Sequence, residues 1–319
     1  MATAQQLKTL IKSHFEEGGN RFITLSLQIA AHEAKLGHTA LANDIRNLID
    51  NSQPMIRQLK PLNRELEELI LEVHADSKLS ELIVSDVLKD RIQKILNEYR
   101  NSSKLLKYGL ENRRKVLLSG PPGTGKTMTA SIISKELGIP LYVILMDKIV
   151  TKFMGETSAK LRTVFNYIKE NKGIYLFDEF DAIGGERGKD NDVGEMRRVV
   201  NSFLQFIEMD DSESIIVAAT NNFKLLDQAL FRRFDDVLLY NKPNEKEIKS
   251  LIDNRLANFK GKINLKNVLT HCEDLSHAEI SKACFDAIKE TVLSNNLKVS
   301  EGTLIAALKD RSHFYNKIL

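Results

Sequence analysis

The chain has 319 residues, which is enough for two domains of ordinary size and a well-buried hydrophobic core. Hydrophobic residues make up 42% of the sequence and charged residues 28%, a balance that excludes a disordered, collagenous or fibrous protein. With 46 basic and 43 acidic side chains the net charge is +3, so the charge predicts no specific nucleic-acid partner.

The cysteines and the apolar runs bear on where the protein works. Cys272 and Cys284 match no disulfide framework and no metal-ligand spacing, as expected of thiols that are kept reduced. The longest apolar runs, LYVILM and IIVAA, fall far short of the ~18 residues of a membrane span, and the first residues contain no signal segment. We therefore expect a soluble, cytoplasmic protein without a membrane segment.

Hydrophobic periodicity divides the chain into four segments. Residues 1–53 have apolar residues at helical spacing, interrupted by glycines, and predict a small helical domain for docking a partner or substrate. Residues 54–75 are polar and contain two prolines, which predicts a linker. Residues 76–241 alternate short apolar runs with amphipathic helices, whereas residues 242–319 show helical patterns only.

Five apolar runs in the third segment predict buried strands. They are KVLLS, LYVILM, IYLF, SIIVAAT and DVLLY. Strands that alternate with helices are typical of βαβ units and therefore of a parallel sheet. The sequence thus predicts an α/β domain with a parallel sheet, followed by a small α-helical domain.

The segment GPPGTGKT at residues 120–127 lies between a predicted strand and a predicted helix. This context predicts a P-loop, because successive backbone N–H groups and the helix N-terminus then converge on a polyphosphate. We expect Lys126 to bind the β- and γ-phosphates of ATP and the Thr127 hydroxyl to ligate Mg²⁺. The other residues expected around the nucleotide are Gly120, Pro121, Pro122, Gly123, Thr124, Gly125 and Met128.

A second motif, IYLFDEFD at residues 174–181, places carboxylates at the end of a predicted buried strand. In an open parallel sheet the carboxyl ends of the strands form the ligand-binding edge. We expect Asp178 to hold Mg²⁺, through water, and Glu179 to polarise the attacking water. A solvated acidic turn is the alternative, and the P-loop upstream argues against it.

Five motifs, GPPGTGKT, KFMGET, LFDEFDAI, AATNN and LDQALFRRFD, follow one another along the chain. In this order they resemble the AAA clade of AAA+ ATPases, which contains katanin, spastin and the membrane-bound AAA proteases, over residues 80–295. The resemblance implies a P-loop AAA+ core with a five-stranded parallel sheet and an α-helical lid. It also implies ATP and Mg²⁺ as ligands and a homo-oligomeric ring, which in the family is a hexamer.

The resemblance assigns catalytic roles to residues outside the two nucleotide motifs. Asn221 matches the sensor-1 position opposite the γ-phosphate, with Asn222 as the alternative if the register differs by one residue. Arg232 and Arg233 match the arginine fingers that act on the nucleotide of a neighbouring subunit. Many relatives separate the two arginines by Pro-Gly, whereas here they are adjacent, which leaves open whether both reach the nucleotide.

The segment KFMGET resembles the first pore loop of the family, in which Phe153 and Met154 would grip a protein substrate. Apolar contact is non-directional and suits an unfolded polypeptide of any sequence. Burial of the two side chains in the core is the alternative. The glycine-rich, charged segment at residues 184–192 suits a second pore loop.

Two further regions resemble places where relatives contact the adenine. Ile83 and Val84 belong to the short apolar segment LSELIVSD. His277 and Ala278 lie inside SHAE, a predicted capping box at the start of a helix. For His277 an ordinary surface position is the alternative.

The leading hypothesis is ATP hydrolysis that drives unfolding, translocation or remodelling of proteins through a ring pore. The alternatives are an ATP-switched assembly or scaffold protein, and a remodeller of nucleic acid like the clamp loaders of the wider superfamily. The sequence has no HExxH motif. Its short helical start and single AAA module also resemble the ATPase half of bacterial ATPase and subtilisin-like protease pairs implicated in phage defence. A separate protease, regulated by this chain, is therefore an expected partner.

Overall fold

A computed structural model describes residues 64–150, 154–180, 190–221 and 231–316, together with positions 26, 29–30, 32–34, 38, 41 and 43–45. The chain forms two compact units, residues 1–61 and 62–319. In the first unit every described residue except His38 is helical. The boundary between the units falls inside the predicted linker.

The second unit contains a six-stranded sheet, and helices occur throughout its sequence. The strands are β1 Ile70–Val73, β2 Lys115–Ser119, β3 Leu141–Ile144, β4 Ile174–Phe177, β5 Ile215–Thr220 and β6 Asp236–Leu239. The helices are α1 Arg64–Glu67, α2 Asp86–Arg100, α3 Ser102–Leu106, α4 Lys126–Leu137, α5 Met146–Ile149, α6 Met154–Glu170, α7 Asp190–Met209, α8 Glu245–Leu256, α9 Leu265–Leu269, α10 His277–Leu293 and α11 Glu301–Asn316. Short 3-10 turns occupy Leu79–Glu81 and Ala257–Phe259. Within these described ranges no helix is long and apolar enough to cross a membrane.

The strand order is β1-β3-β4-β5-β2-β6, and all pairs except β1 with β3 are parallel. The five predicted parallel strands are therefore confirmed, but the sheet has six strands rather than five. The additional strand β1 lies within residues 54–75, which we expected to be a linker. Its sequence ILEV is short and follows two glutamates, so the pattern is too weak to predict a strand, whereas pairing with β3 and burial of Ile70 stabilise it.

Helices cover both faces of the sheet. Because successive strand residues point to opposite sides, Leu117 of β2 packs with α6 and α7, whereas its neighbours Val116 and Leu118 pack with α2 and α4. Burial on both faces explains why β4 and β5 are apolar at almost every position. The arrangement leaves the carboxyl ends of β2, β4 and β5 accessible, and these strands are followed there by the glycine-rich loop or by polar residues.

The C-terminal part of the second unit, α8 to α11, is an all-helical lid with its own hydrophobic core. The start of α8 is capped by Asn244 and Glu247 and the start of α10 by Ser276 and Glu279, each pair forming a capping box. Cys272 and Cys284 are buried in this core as free thiols, and burial raises the pKa of each thiol to about 12. Both thiols therefore stay protonated at neutral pH, as structural core residues do.

Candidate functional site

The loop between β2 and α4 curls back over the carboxyl end of β2. Gly120 and Gly123 adopt φ angles of 154° and 71°. A Cβ atom would lie 2.2 Å from the carbonyl oxygen of Tyr240 at Gly120, and 2.6 Å from the Ser276 hydroxyl at Gly123. Both positions therefore require glycine, for conformation and for space. The loop so formed is a P-loop that opens directly into the N-terminus of α4.

The ammonium group of Lys126 lies at the centre of this loop. Its Nζ donates to the carbonyl oxygens of Gly120 at 2.7 Å and Pro121 at 2.9 Å, and to the Asn221 side-chain oxygen at 2.9 Å. The residue is only 7% exposed. A buried ammonium ringed by backbone groups of a glycine-rich loop is suited to bind phosphate oxygens.

Thr127 and Asp178 come from different elements and meet at the ligand-binding edge. The Thr127 hydroxyl, on the first turn of α4, donates to Asp178 Oδ2 at 2.7 Å, just after β4. The other carboxylate oxygen of Asp178 accepts from the Glu179 N–H at 2.9 Å. One hydroxyl and one carboxylate beside a phosphate loop are the oxygen ligands that Mg²⁺ takes in nucleotide sites. The described residues contain no cluster of three or more metal-binding side chains, so most ligands of such an ion would be phosphate oxygens and water.

Glu179 is held in a strained turn between a strand and the core. Its φ angle is 50°, the left-handed region that glutamate rarely adopts. The following residue, Phe180, is fully buried, with its ring 4.4 Å from that of Phe203. Anchoring of Phe180 therefore offsets the strain and leaves the Glu179 side chain exposed at the cavity.

These groups line one cavity of about 430 Å³. Most predicted nucleotide-binding residues are on its wall: Ile83, Pro122, Gly123, Thr124, Gly125, Lys126, Thr127, Met128, Asp178, Glu179, Asn221, His277 and Ala278. Five lining residues were not predicted: Glu81, Leu82, Leu251, Arg255 and Ser281. Leu251 and Arg255 are one helical turn apart on α8, a spacing visible in the sequence. Which face of α8 meets the cavity depends on how the lid packs, which the sequence pattern does not specify.

The lid meets the P-loop at the N-terminus of α10. The Ala278 N–H donates to the Gly123 carbonyl oxygen at 2.9 Å. This main-chain hydrogen bond joins the helical lid to the P-loop. Beside it, both ring nitrogens of His277 are buried and have no hydrogen-bond partner among the described residues. Burial lowers the pKa of His277 to about 4, so the ring is neutral at physiological pH.

Some predicted residues lie elsewhere. Val84 does not line the cavity, because consecutive residues of this segment face opposite sides: Ile83 packs against the lid core and Val84 against the core between the sheet, α2 and α4. Phe153 and Asn222 lie outside the described residues, as does most of the segment at 184–192. Met154 begins α6.

Arg232 and Arg233 lie at the amino ends of the parallel strands, whereas the P-loop lies at the carboxyl ends. They precede β6, whose first residue, Asp236, pairs in register with Val116 near the start of β2. The backbone N–H groups of Arg114 and Lys115 donate to the carboxylate of Asp235 at 2.9 and 2.8 Å, which fixes this edge. At about 3.3 Å per residue, β2 separates it from the P-loop by roughly 16 Å.

Comparison with known proteins agrees with this geometry. Residues 116–241 match the family model described as "ATPase family associated with various cellular activities (AAA)". The chain is 28% identical to an uncharacterized AAA family ATPase, y4kL, of Sinorhizobium fredii over 98% of this chain and 96% of that protein. It is 32% identical to the ATP-dependent zinc metalloprotease FtsH of Rhodothermus marinus over 73% of this chain, and 30% identical to FtsH 2 of Petrotoga mobilis over 76%.

The chain spans only 35% and 38% of the length of these two FtsH proteins, so the similarity covers only part of each. The residues of this chain that match the family model include the P-loop, the acidic motif after β4 and the asparagine after β5, which the structure brings together around one cavity. Together with the family match over the sheet domain, these observations identify the chain as a member of the AAA+ ATPases.

Proposed function

We propose that copies of this chain assemble into a ring, as a hexamer, and that ATP hydrolysis in the ring unfolds, translocates or remodels a protein substrate. The observation that carries the proposal is the separation of the two arginines from the P-loop of the same chain. ATP would lie beyond the carboxyl ends of the parallel strands, whereas Arg232 and Arg233 lie at their amino ends. Their guanidinium groups are therefore too far from the nucleotide bound by the same chain. They are better placed to contact the nucleotide bound by a second copy.

The two arginines have different surroundings. The Arg233 Nε donates to Glu208 at 2.5 Å, at the end of α7. Arg232 is exposed, and no hydrogen bond or ion pair joins it to another residue in the described ranges. We infer that Arg232 extends to the γ-phosphate bound by the neighbouring subunit, where it neutralises transition-state charge, while Arg233 stays with Glu208 and fixes the turn.

Within one site the roles follow from the contacts. Lys126 binds the β- and γ-phosphates, and Thr127 and Asp178 would hold Mg²⁺, which when bound offsets negative charge on the phosphates. The Glu179 carboxylate orients the attacking water and accepts its proton, since it is exposed to the cavity. Asn221 contacts Lys126 and so lies where the γ-phosphate would be, which suits it to position that water.

Glu179 at the cavity wall favours hydrolysis over a pure switch or scaffold, which needs nucleotide binding only. For the work on substrate we propose Phe153 and Met154 as the residues that grip a polypeptide in the ring pore. The FtsH relatives are named as zinc metalloproteases, but this sequence has no HExxH motif. We therefore propose a separate protease as the partner wherever this chain contributes to degradation.

Subunit mixing tests completion of the active site in trans. Lys126→Ala removes nucleotide binding and Arg232→Ala removes the finger, so each variant alone should be inactive. In a mixed ring, a subunit with an intact P-loop beside one with an intact Arg232 forms a working site at about a quarter of the interfaces. We expect turnover to recover to about that fraction on mixing. No recovery between two folded, ring-forming variants, or full turnover by a monomer, would contradict the proposal.

A second experiment tests threading. Phe153→Ala should leave ATP turnover intact and abolish unfolding of a fluorescent protein substrate. Leu110→Ala serves as a control, because Leu110 is an exposed apolar residue outside the proposed pore. Unchanged substrate unfolding in the Phe153 variant would favour the scaffold function instead.

A further inference from the structure

Tyr240 is a buried tyrosine that packs against the P-loop, and the proposed ATPase mechanism gives it no role. It directly follows β6, where the chain leaves the sheet for the lid helix α8, and only 2% of its surface is exposed. Its N–H donates to the carbonyl oxygen of Ser119, the last residue of β2, at 2.7 Å. Its own carbonyl oxygen lies against Gly120, where an added Cβ would come within 2.2 Å of it. The backbone of Tyr240 therefore packs against the first residue of the P-loop.

The side chain of Tyr240 reaches the other end of the same loop through two hydrogen bonds in series. The Tyr240 hydroxyl donates to Thr129 Oγ1 on α4 at 2.7 Å, and Thr129 Oγ1 donates to the carbonyl oxygen of Gly125 at 3.1 Å. A threonine hydroxyl has a single proton, so Tyr240 must be the donor of the first bond. Burial raises the pKa of the Tyr240 phenol, which keeps that donor protonated at neutral pH. Tyr240 thus holds Gly125 through Thr129.

The direction of the Gly125 carbonyl sets the direction of an amide group at the phosphate site. A peptide unit is planar and trans, so its C=O and N–H point in opposite directions, and the unit with the Gly125 oxygen also carries the Lys126 N–H. That N–H belongs to the first residue of α4, at the end of the helix that suits a phosphate. Gly125 has a φ angle of 103°, and glycine tolerates many orientations of this unit. The N–H of Thr129, at 3.0 Å, and its hydroxyl both bind the Gly125 oxygen and so select one orientation.

We propose that Tyr240 is a positioning residue for phosphate binding, which acts through Thr129 and Gly125 to hold the Lys126 N–H in the direction of the bound phosphates. The inference rests on the proposed role of the cavity as the ATP site. Tyr240 is not part of the cavity wall and does not touch the nucleotide itself. Because Tyr240 also begins the connection to α8, it joins the attachment point of the lid to the geometry of the P-loop.

Binding of ADP to the full chain tests the proposal without turnover. Isothermal titration calorimetry compares the wild type with Tyr240→Phe, which removes only the hydroxyl. We expect the affinity to fall about fivefold, the effect of one neutral hydrogen bond in a desolvated site. Tyr175→Phe is the matched control, because the Tyr175 hydroxyl is also buried and donates to a main-chain carbonyl, that of Asn171 at 2.6 Å, but lies outside the cavity wall. This control should be destabilised to a similar degree and should keep an ADP affinity within about twofold of wild type.

Substitutions of Thr129 show whether Tyr240 acts through the proposed hydrogen bonds. Thr129→Val keeps the shape of the side chain and removes the hydroxyl, so ADP affinity should fall about tenfold. Thr129→Ser keeps the hydroxyl and should stay close to wild type. The double variant with Tyr240→Phe and Thr129→Val should bind ADP as well as Thr129→Val alone, because both changes interrupt the same series of bonds. Additive losses would overturn the proposed route.

Each other outcome of the titrations has a distinct meaning. An ADP affinity within twofold of wild type in folded Tyr240→Phe overturns the proposal. An equal loss in Tyr175→Phe also overturns it, since the effect then comes from reduced stability. If Tyr240→Phe does not fold, Thr129→Val and Thr129→Ser decide, and equal affinities of these two overturn the proposal. If instead Lys126→Ala binds ADP as tightly as wild type, the nucleotide site itself is misplaced, which separates failure of the proposed function from failure of this inference.

A spectroscopic measurement follows the peptide unit directly. With ¹⁵N-labelled lysine, the amide resonance of Lys126 is assigned by its loss in Lys126→Ala. We expect Tyr240→Phe to shift this resonance in the nucleotide-free protein and Tyr175→Phe to leave it in place. An unshifted resonance in Tyr240→Phe would contradict control of the Lys126 N–H by Tyr240.

Discussion

The side-chain oxygen of Asn221 accepts a hydrogen bond from Lys126 at 2.9 Å, although 95 residues separate the two in the chain. The contact joins the end of β5 to the start of α4, next to each other because β2 and β5 are paired in parallel. It places a neutral amide beside the cation that binds phosphate, so both can respond to the same γ-phosphate.

This contact predicts different effects for two substitutions of Asn221. Asn221→Ala should lower turnover about 100-fold or more with little change in ATP affinity, because the water loses its orientation. Asn221→Asp adds a carboxylate beside Lys126 and the phosphates, and should weaken ATP binding at least about tenfold. Calorimetric titration with ATP separates the two, and equal affinities for both variants would contradict the assignment.

Glu179→Gln keeps the shape of the side chain and removes its ability to accept a proton. We expect turnover to fall by about 10²–10⁴ while ATP binding and assembly persist. Glu81→Gln is the matched control, since Glu81 also lines the cavity but has no proposed role in the chemistry. Steady-state phosphate release measures the effect, and normal turnover in Glu179→Gln would remove this carboxylate from the mechanism.

Gly123→Ala tests the packing of the lid on the P-loop. The new methyl group would lie 2.6 Å from the Ser276 hydroxyl and 3.0 Å from Ala278 Cβ, so the lid must shift and ADP affinity should fall about tenfold or more. Gly138→Ala is the control, because Gly138 has a similar φ of 65° but nothing within 4 Å of the added atom. Both variants should lose about 1 kcal/mol of stability from backbone strain. If the control loses as much ADP affinity, strain alone explains the effect.

The low pKa of His277 predicts a dependence of stability on pH. The folded pKa is about 4 against 6.5 for an unperturbed histidine, so the unfolded chain binds more protons between these values. The contribution of the neutral ring is fully present above pH 6.5 and is lost as the pH falls towards 4. Urea unfolding at pH 7.5 and 5.5 should show a smaller loss of stability for His277→Gln than for wild type, and an equal loss would contradict burial of the ring.

Asp236 stabilises the amino edge of the sheet. Its carboxylate is 5% exposed and accepts hydrogen bonds from Arg91 and, at 3.4 Å, from Arg113. Asp236→Asn should reduce the free energy of unfolding by about 1–3 kcal/mol, because both guanidinium groups lose their buried partner. Asp211→Asn breaks an exposed pair with Lys169 and should leave the free energy of unfolding nearly unchanged, because solvent screens such pairs. Urea denaturation compares them, and similar losses would argue against a special role for Asp236.

The parts that the sequence predicts well are those with strong local patterns. The strands β2 to β6 lie in short apolar runs, and the P-loop requires glycines within eight consecutive residues. The capping box of α10 is likewise a local pattern, and the structure contains it. In each case the physical cause acts between residues close in the chain.

The parts that the sequence does not predict depend on packing between distant segments. Strand β1 exists because it pairs with β3, and Arg255 lines the cavity because α8 packs beside the P-loop domain. The difference between Arg232 and Arg233 arises from Glu208, 25 residues before Arg233. No local pattern contains these relationships.

The hydrogen bond from the Ala278 N–H to the Gly123 carbonyl has a genetic consequence. Both partners are main-chain atoms, so most substitutions at residue 278 keep the hydrogen bond. Sequence variation at that position therefore does not remove this contact between the lid and the P-loop. Proline alone lacks the donor. Because the preceding residue, His277, is already helical, proline at residue 278 would remove this hydrogen bond and would also disfavour the first residue of α10.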